Sequence, residues 1–448
     1  MLNRNNRWLI IRSRIRQGIR SKAVLLASLG LVLLFVGAVL LLLPSQNKMV
    51  PQLVGAASPL SSESTPTWQQ VLNPVEQTSL FPPNFFSTLP SQPVLESTAE
   101  DGQKLTVYTT LDEKLQFKLI KLLRRYHPQL GAGILLDLES GAVLAMADYR
   151  NESENGSILP LDCGNLCLVS AFPAASLFKI VTAYGVLDKQ SVSRKTNYQV
   201  IGRHHTLYKY QLGIGKSRYR YRPSEISFEK AFARSVNPVF GKFGIDYFSA
   251  DELVGLAESF SFNRTLRFDQ PVLESQIELP QTPFQQAETS SGFIKTTTIS
   301  PLHAALLVGA PLVVNRLQQP YIVNRITSKT GAELYYHQPQ KCDFQLRDKK
   351  ACSELVAMMR ATVKYGTARK SFRDVNRRRS FRKLKVGGKT GSLDMPDNSH
   401  RCEWFAGFGE NPATGKMVAV AVVLVHGEKR TISSGYIASE MIAASLKK

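Results

Sequence analysis

Residues that bind metals or carry redox chemistry are scarce in this chain. Its 448 residues include only seven histidines and five cysteines. There is no Cys-x-x-Cys pair, and no histidines have zinc-ligand spacing, since His204 and His205 are adjacent. His426 ends an apolar stretch and is expected to be structural rather than catalytic. The sequence therefore predicts neither a metal site nor a cofactor.

The few cysteines leave two redox states open. Cys163 and Cys167 lie four residues apart, Cys342 and Cys352 lie ten apart, and Cys402 stands alone. In an oxidising compartment the two close pairs are able to form disulfides, whereas in a reducing compartment all five would remain free thiols.

Acidic residues are also under-represented. The chain has 35 Asp and Glu against 56 Lys and Arg, which gives a formal net charge of +21. Its hydrophobic fraction of 43% is ordinary for a globular protein. Such a charge fits a nucleic acid, a membrane surface or an anionic polymer as partner, and the location of the basic residues decides among these.

The N-terminal part of the chain combines a basic and an uncharged segment. Residues 1–22 hold seven basic side chains and no acid, and the 21 residues 23–43 hold no charge. A helix of that length is about 31 Å long, which matches a bilayer core of roughly 30 Å. We expect 1–22 to be a cytoplasmic tail and 23–43 a single-pass membrane anchor, with the rest extracytoplasmic. The alternative is a cleaved signal peptide, whose apolar part is usually about 7 to 15 residues long.

This orientation explains the first arginines as topology signals, so we expect no nucleic-acid partner. Residues 44–104 follow and are rich in Pro, Ser, Thr and Gln. The repeated prolines disfavour a long helix or a central strand, which predicts an extended stalk. A folded domain is expected to begin near Leu105 and to occupy 105–448.

Apolar periodicity outlines the secondary structure of that domain. Thr110 and Glu113 form a candidate capping box before a helix with one apolar and one basic face. Four apolar stretches predict two hairpins, at 133–138 with 142–147 and at 404–408 with 417–425. The unbroken apolar run in the last stretch predicts a central strand covered on both faces. Helices must then flank the sheet, and 436–446 is the last of them.

The chemistry is concentrated in Ser176-Leu177-Phe178-Lys179, within a helix predicted from Phe172 to Ala183. On a helix, a spacing of three puts hydroxyl and amine on one face. A neutral lysine is able to take the serine proton and make the hydroxyl a nucleophile. Keeping a lysine neutral at pH 7 costs roughly 4 to 5 kcal/mol unless burial or another cation lowers its pKa. The pattern therefore predicts a dry cleft with a second positive charge.

A Ser and a Lys at this spacing occur about twice by chance in a chain of this length, and usually mark a solvated helix face. Two later motifs change this interpretation: Ser235-Val236-Asn237 and Lys389-Thr390-Gly391-Ser392. In this order the three motifs resemble the S-x-x-K, S-x-N and K-T-G motifs of penicillin-binding proteins and serine β-lactamases. The resemblance runs from about Leu105 to the C-terminus. It implies an α+β fold with a central antiparallel sheet flanked by helices.

The resemblance also implies roles for the motif residues. Ser176 would attack the carbonyl of a D-Ala-D-Ala terminus, with Lys179 as the base for acylation. Ser235 would relay a proton, and Asn237 would bind the substrate amide. Lys389 would be the second cation, which lowers the pKa of Lys179 and attracts the substrate carboxylate.

The rest of the third motif would bind the substrate. Thr390 and Ser392 would hydrogen-bond its carboxylate, and Gly391 would leave room for the peptide along the strand edge. The backbone N–H groups of Ser176 and Ser392 would hold the oxyanion, at roughly 3 to 4 kcal/mol per donor.

The fate of the acyl-enzyme distinguishes the candidate functions. Attack by an amine of a neighbouring stem peptide cross-links peptidoglycan, whereas attack by water makes a D,D-carboxypeptidase or endopeptidase. The anchor and stalk favour the cross-linker, because the reaction must occur near lipid-borne precursors. A β-lactamase needs a deacylating base that the sequence does not locate, and a catalytically inert scaffold or sensor of the cell-wall machinery is the non-enzymatic alternative. The expected partners are stem peptides, β-lactams, the membrane and other cell-wall synthesis proteins.

Two basic segments lie outside the motifs. Residues 203–222 interleave basic and tyrosine side chains, which fits an anionic glycan, a lipid headgroup, an acidic partner or a solvated β-ribbon. Residues 369–389 are also strongly basic, and a solvated loop is the default expectation for them.

Overall fold

A computed structural model describes residues 93–98, 102–151, 159, 164–189, 192–215 and 222–447. The predicted tail, the predicted membrane anchor and nearly all of the predicted stalk lie outside these residues. Within them, no helix has the length and apolar character needed to cross a membrane.

A five-stranded antiparallel sheet forms the centre of the fold. Its strands, in order across the sheet, are β11 (Lys385–Asp394), β12 (Arg401–Glu410), β13 (Met417–His426), β3 (Leu130–Asp137) and β4 (Val143–Arg150). Both predicted hairpins are present, and β13 is the middle strand with every residue after its first buried. The prediction of a central strand covered on both faces is confirmed.

Helices cover both faces of this sheet. The α-helices of the described residues are α1 (Glu113–Arg125), α2 (Lys179–Asp188), α3 (Phe228–Ala233), α4 (Asn237–Tyr247), α5 (Ala250–Glu258), α6 (Pro283–Ser291), α7 (Pro301–Val313), α8 (Lys349–Lys364) and α9 (Ser434–Ser445). Because successive strand residues point to opposite faces, Val422 packs in one apolar cluster with Ile437 of α9, and Val423 in another with Leu302 of α7. The expected α+β architecture is therefore confirmed for these residues.

A second sheet shows that the ordered structure begins before the predicted boundary. It contains β1 (Val94–Thr98), β2 (Lys104–Thr109), β9 (Val323–Ser328) and β10 (Glu333–Tyr336), in that spatial order. Strand β1 lies in the segment predicted to be stalk, yet all five of its residues pair with β2. It is an edge strand in which no side chain is fully buried, so its apolar periodicity is weak.

The start of α1 also differs from its prediction. The N-cap is Asp112, whose carboxylate accepts a hydrogen bond from the Leu115 N–H at 2.9 Å. Thr110 instead donates to the Val143 carbonyl at 2.7 Å and ties the chain to β4. The predicted capping box between Thr110 and Glu113 is therefore wrong.

The described cysteines are all free thiols, namely Cys167, Cys342, Cys352 and Cys402. No disulfide joins Cys342 to Cys352, and Cys163 lies outside the described residues. Cys167 is buried and donates to the Gly133 carbonyl at 3.3 Å, so this thiol has a structural partner.

Candidate active site

The nucleophile segment is a tight turn rather than the predicted continuous helix. Phe172–Pro173 form the short strand β5, which pairs with β8 (Thr298–Ile299). A 3₁₀ turn covers Ala175–Phe178, and α2 begins only at Lys179. In a 3₁₀ turn, side chains three residues apart lie above one another. This alignment places Lys179 Nζ 2.9 Å from Ser176 Oγ.

Two contacts fix the position of this turn. The Trp404 indole N–H of β12 donates to the Pro173 carbonyl at 2.9 Å. On the other side, Gly292 at the end of α6 has φ of +62°, and a Cβ there would lie 1.9 Å from the Ala175 carbonyl oxygen. Only glycine tolerates both this conformation and this approach. The nucleophile turn is thus held between the central sheet and α6.

Lys179 is fully buried and has three oxygen partners. Its Nζ lies 2.8 Å from Asn237 Oδ1 and also contacts the Ser291 carbonyl, in addition to Ser176 Oγ. Two of these oxygens are pure acceptors, whereas the serine hydroxyl is also able to donate. A neutral amine has two N–H donors and one lone pair, so it satisfies all three partners while accepting the Ser176 proton.

Electrostatics favour the same protonation state. Burial is the main cause that lowers the pKa of Lys179 well below its usual value, and the nearby charge of Lys389 lowers it further. The neutral form of Lys179 is the one that general-base catalysis requires. The second cation expected from the sequence is therefore present beside it.

Lys389 and Ser235 form a second lysine–serine pair. Lys389 Nζ donates to Ser235 Oγ at 2.9 Å and to the Thr390 carbonyl at 3.0 Å. Burial lowers the pKa of Lys389 to about 7. Ser235 adopts the left-handed conformation, with φ of 56°, in the short connection between α3 and α4. Its strained backbone aims the hydroxyl at Lys389.

These residues meet in a cleft of about 630 Å³. Six of the eight residues predicted for the site line it: Ser176, Ser235, Asn237, Thr390, Gly391 and Ser392. The other two, Lys179 and Lys389, lie buried beneath it and reach Ser176 and Ser235 with their amines. The structure thus brings all eight together.

Gly391 lies close to the nucleophile turn, which favours a small residue here in addition to the predicted room for a peptide. A Cβ at this position would lie 3.3 Å from the Cβ atoms of both Ala175 and Trp404. The glycine therefore allows β11 to approach the nucleophile turn closely.

Sequence reasoning missed the polar groups beyond the third motif. Arg401 on β12 donates from Nε to Ser392 Oγ at 2.7 Å and from Nη1 to Asp394 Oδ1 at 2.8 Å. This leaves the Ser392 hydroxyl proton available to a ligand in the cleft. No sequence motif marks Arg401. The register of the β11–β12 hairpin, which pairs Arg401 with Asp394, brings it to the third motif.

Glu403 forms a second missed group in the cleft wall. Its carboxylate accepts hydrogen bonds from His426 Nε2 at 3.2 Å, from Arg430 Nη2 at 2.8 Å and from the Ser434 N–H at 3.0 Å. Burial alone would raise the pKa of Glu403, but its bonds to His426 and Arg430 outweigh burial and lower it. His426 thus holds a wall residue in place.

An α+β fold in which the nucleophile serine contacts the amine of a buried lysine, faced by a second serine–lysine pair, fits a serine acyltransferase. The sequence comparison makes this more specific. Residues 131–447 match the penicillin binding protein transpeptidase domain. The chain therefore belongs to the penicillin-binding protein transpeptidase family.

Individual relatives are distant. The chain is 23% identical to stage V sporulation protein D of Bacillus subtilis over 351 residues, which cover 75% of this chain and 51% of that protein. It thus spans about half the length of this relative.

Solved structures share the fold. The D,D-transpeptidase domain of a peptidoglycan glycosyltransferase from Eggerthella lenta superposes with a TM-score of 0.60 at 21% identity, covering 79% of this chain and 95% of that one. PBPA from Mycobacterium tuberculosis gives a TM-score of 0.58 at 20% identity, with 75% and 79% covered.

Proposed function

We propose that this chain is a membrane-anchored serine D,D-transpeptidase that cross-links peptidoglycan stem peptides through an acyl-enzyme on Ser176. The observation that carries the proposal is the buried Lys179 amine, 2.9 Å from Ser176 Oγ and with its pKa lowered. The contact gives this pair the geometry that nucleophilic catalysis needs, and the lowered pKa favours the neutral amine that would act as the base.

In the proposed acylation, Ser176 Oγ attacks the carbonyl carbon of the penultimate D-alanine while Lys179 Nζ takes the hydroxyl proton. The peptide N–H groups of Ser176 and Ser392 stabilise the oxyanion, at about 3 to 4 kcal/mol per donor. When the intermediate collapses, the C–N bond breaks and the released D-alanine amine receives a proton through Ser235, which Lys389 contacts at 2.9 Å.

The third motif binds the substrate in this proposal. The hydroxyls of Thr390 and Ser392 and the charge of Lys389 bind the terminal carboxylate, and Arg401 orients Ser392. Asn237 lines the cleft, and its Nδ2, which donates to the His205 carbonyl at 3.2 Å, would bind the substrate amide. PBPA from M. tuberculosis has been solved as an imipenem acyl-enzyme complex, which supports β-lactam binding by this fold.

The acyl group is then transferred to an amine of a neighbouring stem peptide. We place the catalytic domain outside the cytoplasmic membrane, with residues 1–22 in the cytoplasm and 23–43 as the anchor. The apolar length of 23–43 and its basic flank support this placement. The domain would work beside lipid-borne precursors, together with other cell-wall synthesis proteins.

Intact mass of the full chain in detergent, after incubation with benzylpenicillin, tests the proposal. We expect one persistent adduct that maps to Ser176 and is absent from Ser176→Ala. Consumption of the drug without an adduct would indicate a β-lactamase. The absence of both an adduct and drug consumption would indicate an inert scaffold. Products from a D-Ala-D-Ala donor with an acceptor amine then separate the transpeptidase, which forms the new amide, from a carboxypeptidase, which forms only the acid.

A further inference from the structure

The solvent-exposed side of α1 has an apolar ring among cations. Lys114, Phe117, Lys121 and Arg124 recur at helical spacing and form one exposed stripe, while Leu119 and its apolar neighbours face the core. Phe117 is 58% exposed, the highest value among the exposed large hydrophobic residues that the structure describes. Lys114 and Lys121 lie one turn before and after it.

A second basic surface lies at residues 369–385, which hold nine basic residues and one acid, Asp374. It is not the solvated loop expected from sequence. Two 3₁₀ turns, Val375–Arg377 and Phe381–Lys383, are anchored by the buried side chains of Phe372, Val375 and Phe381. The charges are therefore held on a fixed scaffold.

Glu440 of α9 joins the two basic surfaces. Its carboxylate accepts from Lys118 Nζ of α1 at 2.9 Å and from Arg378 Nη1 at 3.2 Å. The stripe and the turns therefore border the same helix. Five cations of the turn segment make no ion pair with a described acid: Arg369, Lys370, Arg379, Arg382 and Lys383.

We propose that this face, the α1 stripe together with residues 369–385, docks on a membrane surface rich in anionic lipid headgroups. The cations would bind phosphates while Phe117 enters the interfacial region, an arrangement typical of interfacial helices. An anionic polymer would use the cations but would leave Phe117 in water. A lipid interface deforms around a protruding ring, so it requires no matching pocket.

Docking in this way would bring the cleft to the membrane. Ser371 and Arg430 line the cleft and also the adjacent depression that contains Lys370. The cleft therefore opens beside the proposed docking face. The inference concerns this face alone and does not depend on the chemistry of Ser176.

Photocross-linking of the full chain tests the docking. Benzoylphenylalanine replaces Phe117, and the protein is irradiated with vesicles of phosphatidylglycerol and phosphatidylcholine or of phosphatidylcholine alone. The matched position is Leu273, which is 56% exposed and adjoins Val272, a member of the apolar cluster on the other face of the sheet. We expect lipid adducts at position 117 that are several-fold fewer without the anionic lipid, and few adducts at position 273.

A charge variant provides the second arm. Each cation near an anionic surface strengthens binding by roughly fivefold. Four cations would together strengthen binding by several hundredfold. Combining Lys114→Gln, Lys121→Gln, Arg382→Gln and Lys383→Gln should therefore reduce lipid adducts by well over tenfold. The exposed pair Lys349→Gln and Lys350→Gln on α8 should not change them.

Two results would overturn the docking. One is an equal adduct yield at positions 117 and 273. The other is an adduct yield at position 117 that does not change with anionic lipid or with the charge variant. Cross-linking of position 117 to a protein instead of a lipid, in membranes of cells that express the chain, would overturn it too. Acylation by benzylpenicillin is measured on the same samples. Acylation without lipid adducts refutes the docking alone, and lipid adducts without acylation refute the proposed function alone.

Discussion

Lys179 and Lys389 lie beneath the cleft with no surface exposed to water, whereas Lys114 and Lys121 stand on the exposed side of α1. The same side chain stands in two different environments. Under the cleft, burial lowers the pKa of both amines and so favours their neutral form. On α1 the amines stay exposed to water and, in the proposed docking, would bind lipid phosphates.

The buried arrangement costs stability. A pKa of about 7 for Lys389, against about 10.4 in an unfolded chain, costs the folded state about 4 kcal/mol at pH 7. An exposed lysine has no such cost. Because burial of a lysine is costly, a buried lysine calls for a functional reason.

The largest effect is expected from Lys179→Met. Without the amine, Ser176 loses its base, and acylation by benzylpenicillin should slow by about 10³-fold. The exposed Lys121→Met should change the rate less than about twofold. Time-resolved intact mass measures both rates. A Lys179→Met acylation rate within about tenfold of the wild-type rate would refute the role of Lys179 as the base.

Lys389→Met should stabilise the protein while impairing acylation. The unfolded chain binds the proton that folded Lys389 gives up, so wild-type stability should rise between pH 7 and pH 10. The gain from Lys389→Met is therefore expected to be up to about 4 kcal/mol at pH 7 and much smaller at pH 10. Urea unfolding at the two pH values measures this gain in the free energy of unfolding. An equal gain at both pH values would contradict the lowered pKa of buried Lys389 as its cause.

Gly292→Ala tests how rigidly the nucleophile turn is held. A Cβ at this position would collide with the Ala175 carbonyl, and the left-handed conformation adds strain, so we expect a loss of at least about 2 kcal/mol. Gly213→Ala is the matched control, because Gly213 has φ of +78° with no atom within 4 Å of its Cβ position. It should cost only about 1 kcal/mol. Equal losses would show that the packing against Ala175 contributes nothing.

The smallest effect is expected at the exposed lysines. Lys121→Met should change the free energy of unfolding by less than about 0.5 kcal/mol. Chemical denaturation measures this. A larger change would mean that Lys121 contributes to packing or ion pairing in the folded state.

The parts of the structure that local patterns determine were predictable. The three motifs predicted eight residues that the structure brings together at one cleft, and the uninterrupted apolar run of β13 predicted the central strand. Register and backbone detail were not predictable in this way. The pairing of Arg401 with Asp394 depends on how the β11–β12 hairpin closes. A 3₁₀ turn and an α-helix both bring residues three apart to one face, so the spacing of Ser176 and Lys179 did not distinguish the two.

Surface elements were missed for a different reason. Strand β1 buries no side chain fully, so its composition is typical of a linker. In residues 369–385, the buried Phe372 and Phe381 are separated by basic residues, which hides the apolar anchors from any periodic pattern. Tertiary packing, rather than local sequence, orders both elements.

The pH dependence of acylation tests most directly whether burial makes Lys179 a neutral base. In the full chain, the second-order rate constant for benzylpenicillin should complete its rise with pH well below the ordinary lysine range near pH 10, because burial lowers the pKa of Lys179 well below its usual value. A rate that still increases about tenfold per pH unit from pH 7 towards pH 10, the ordinary range of a lysine, would contradict the account.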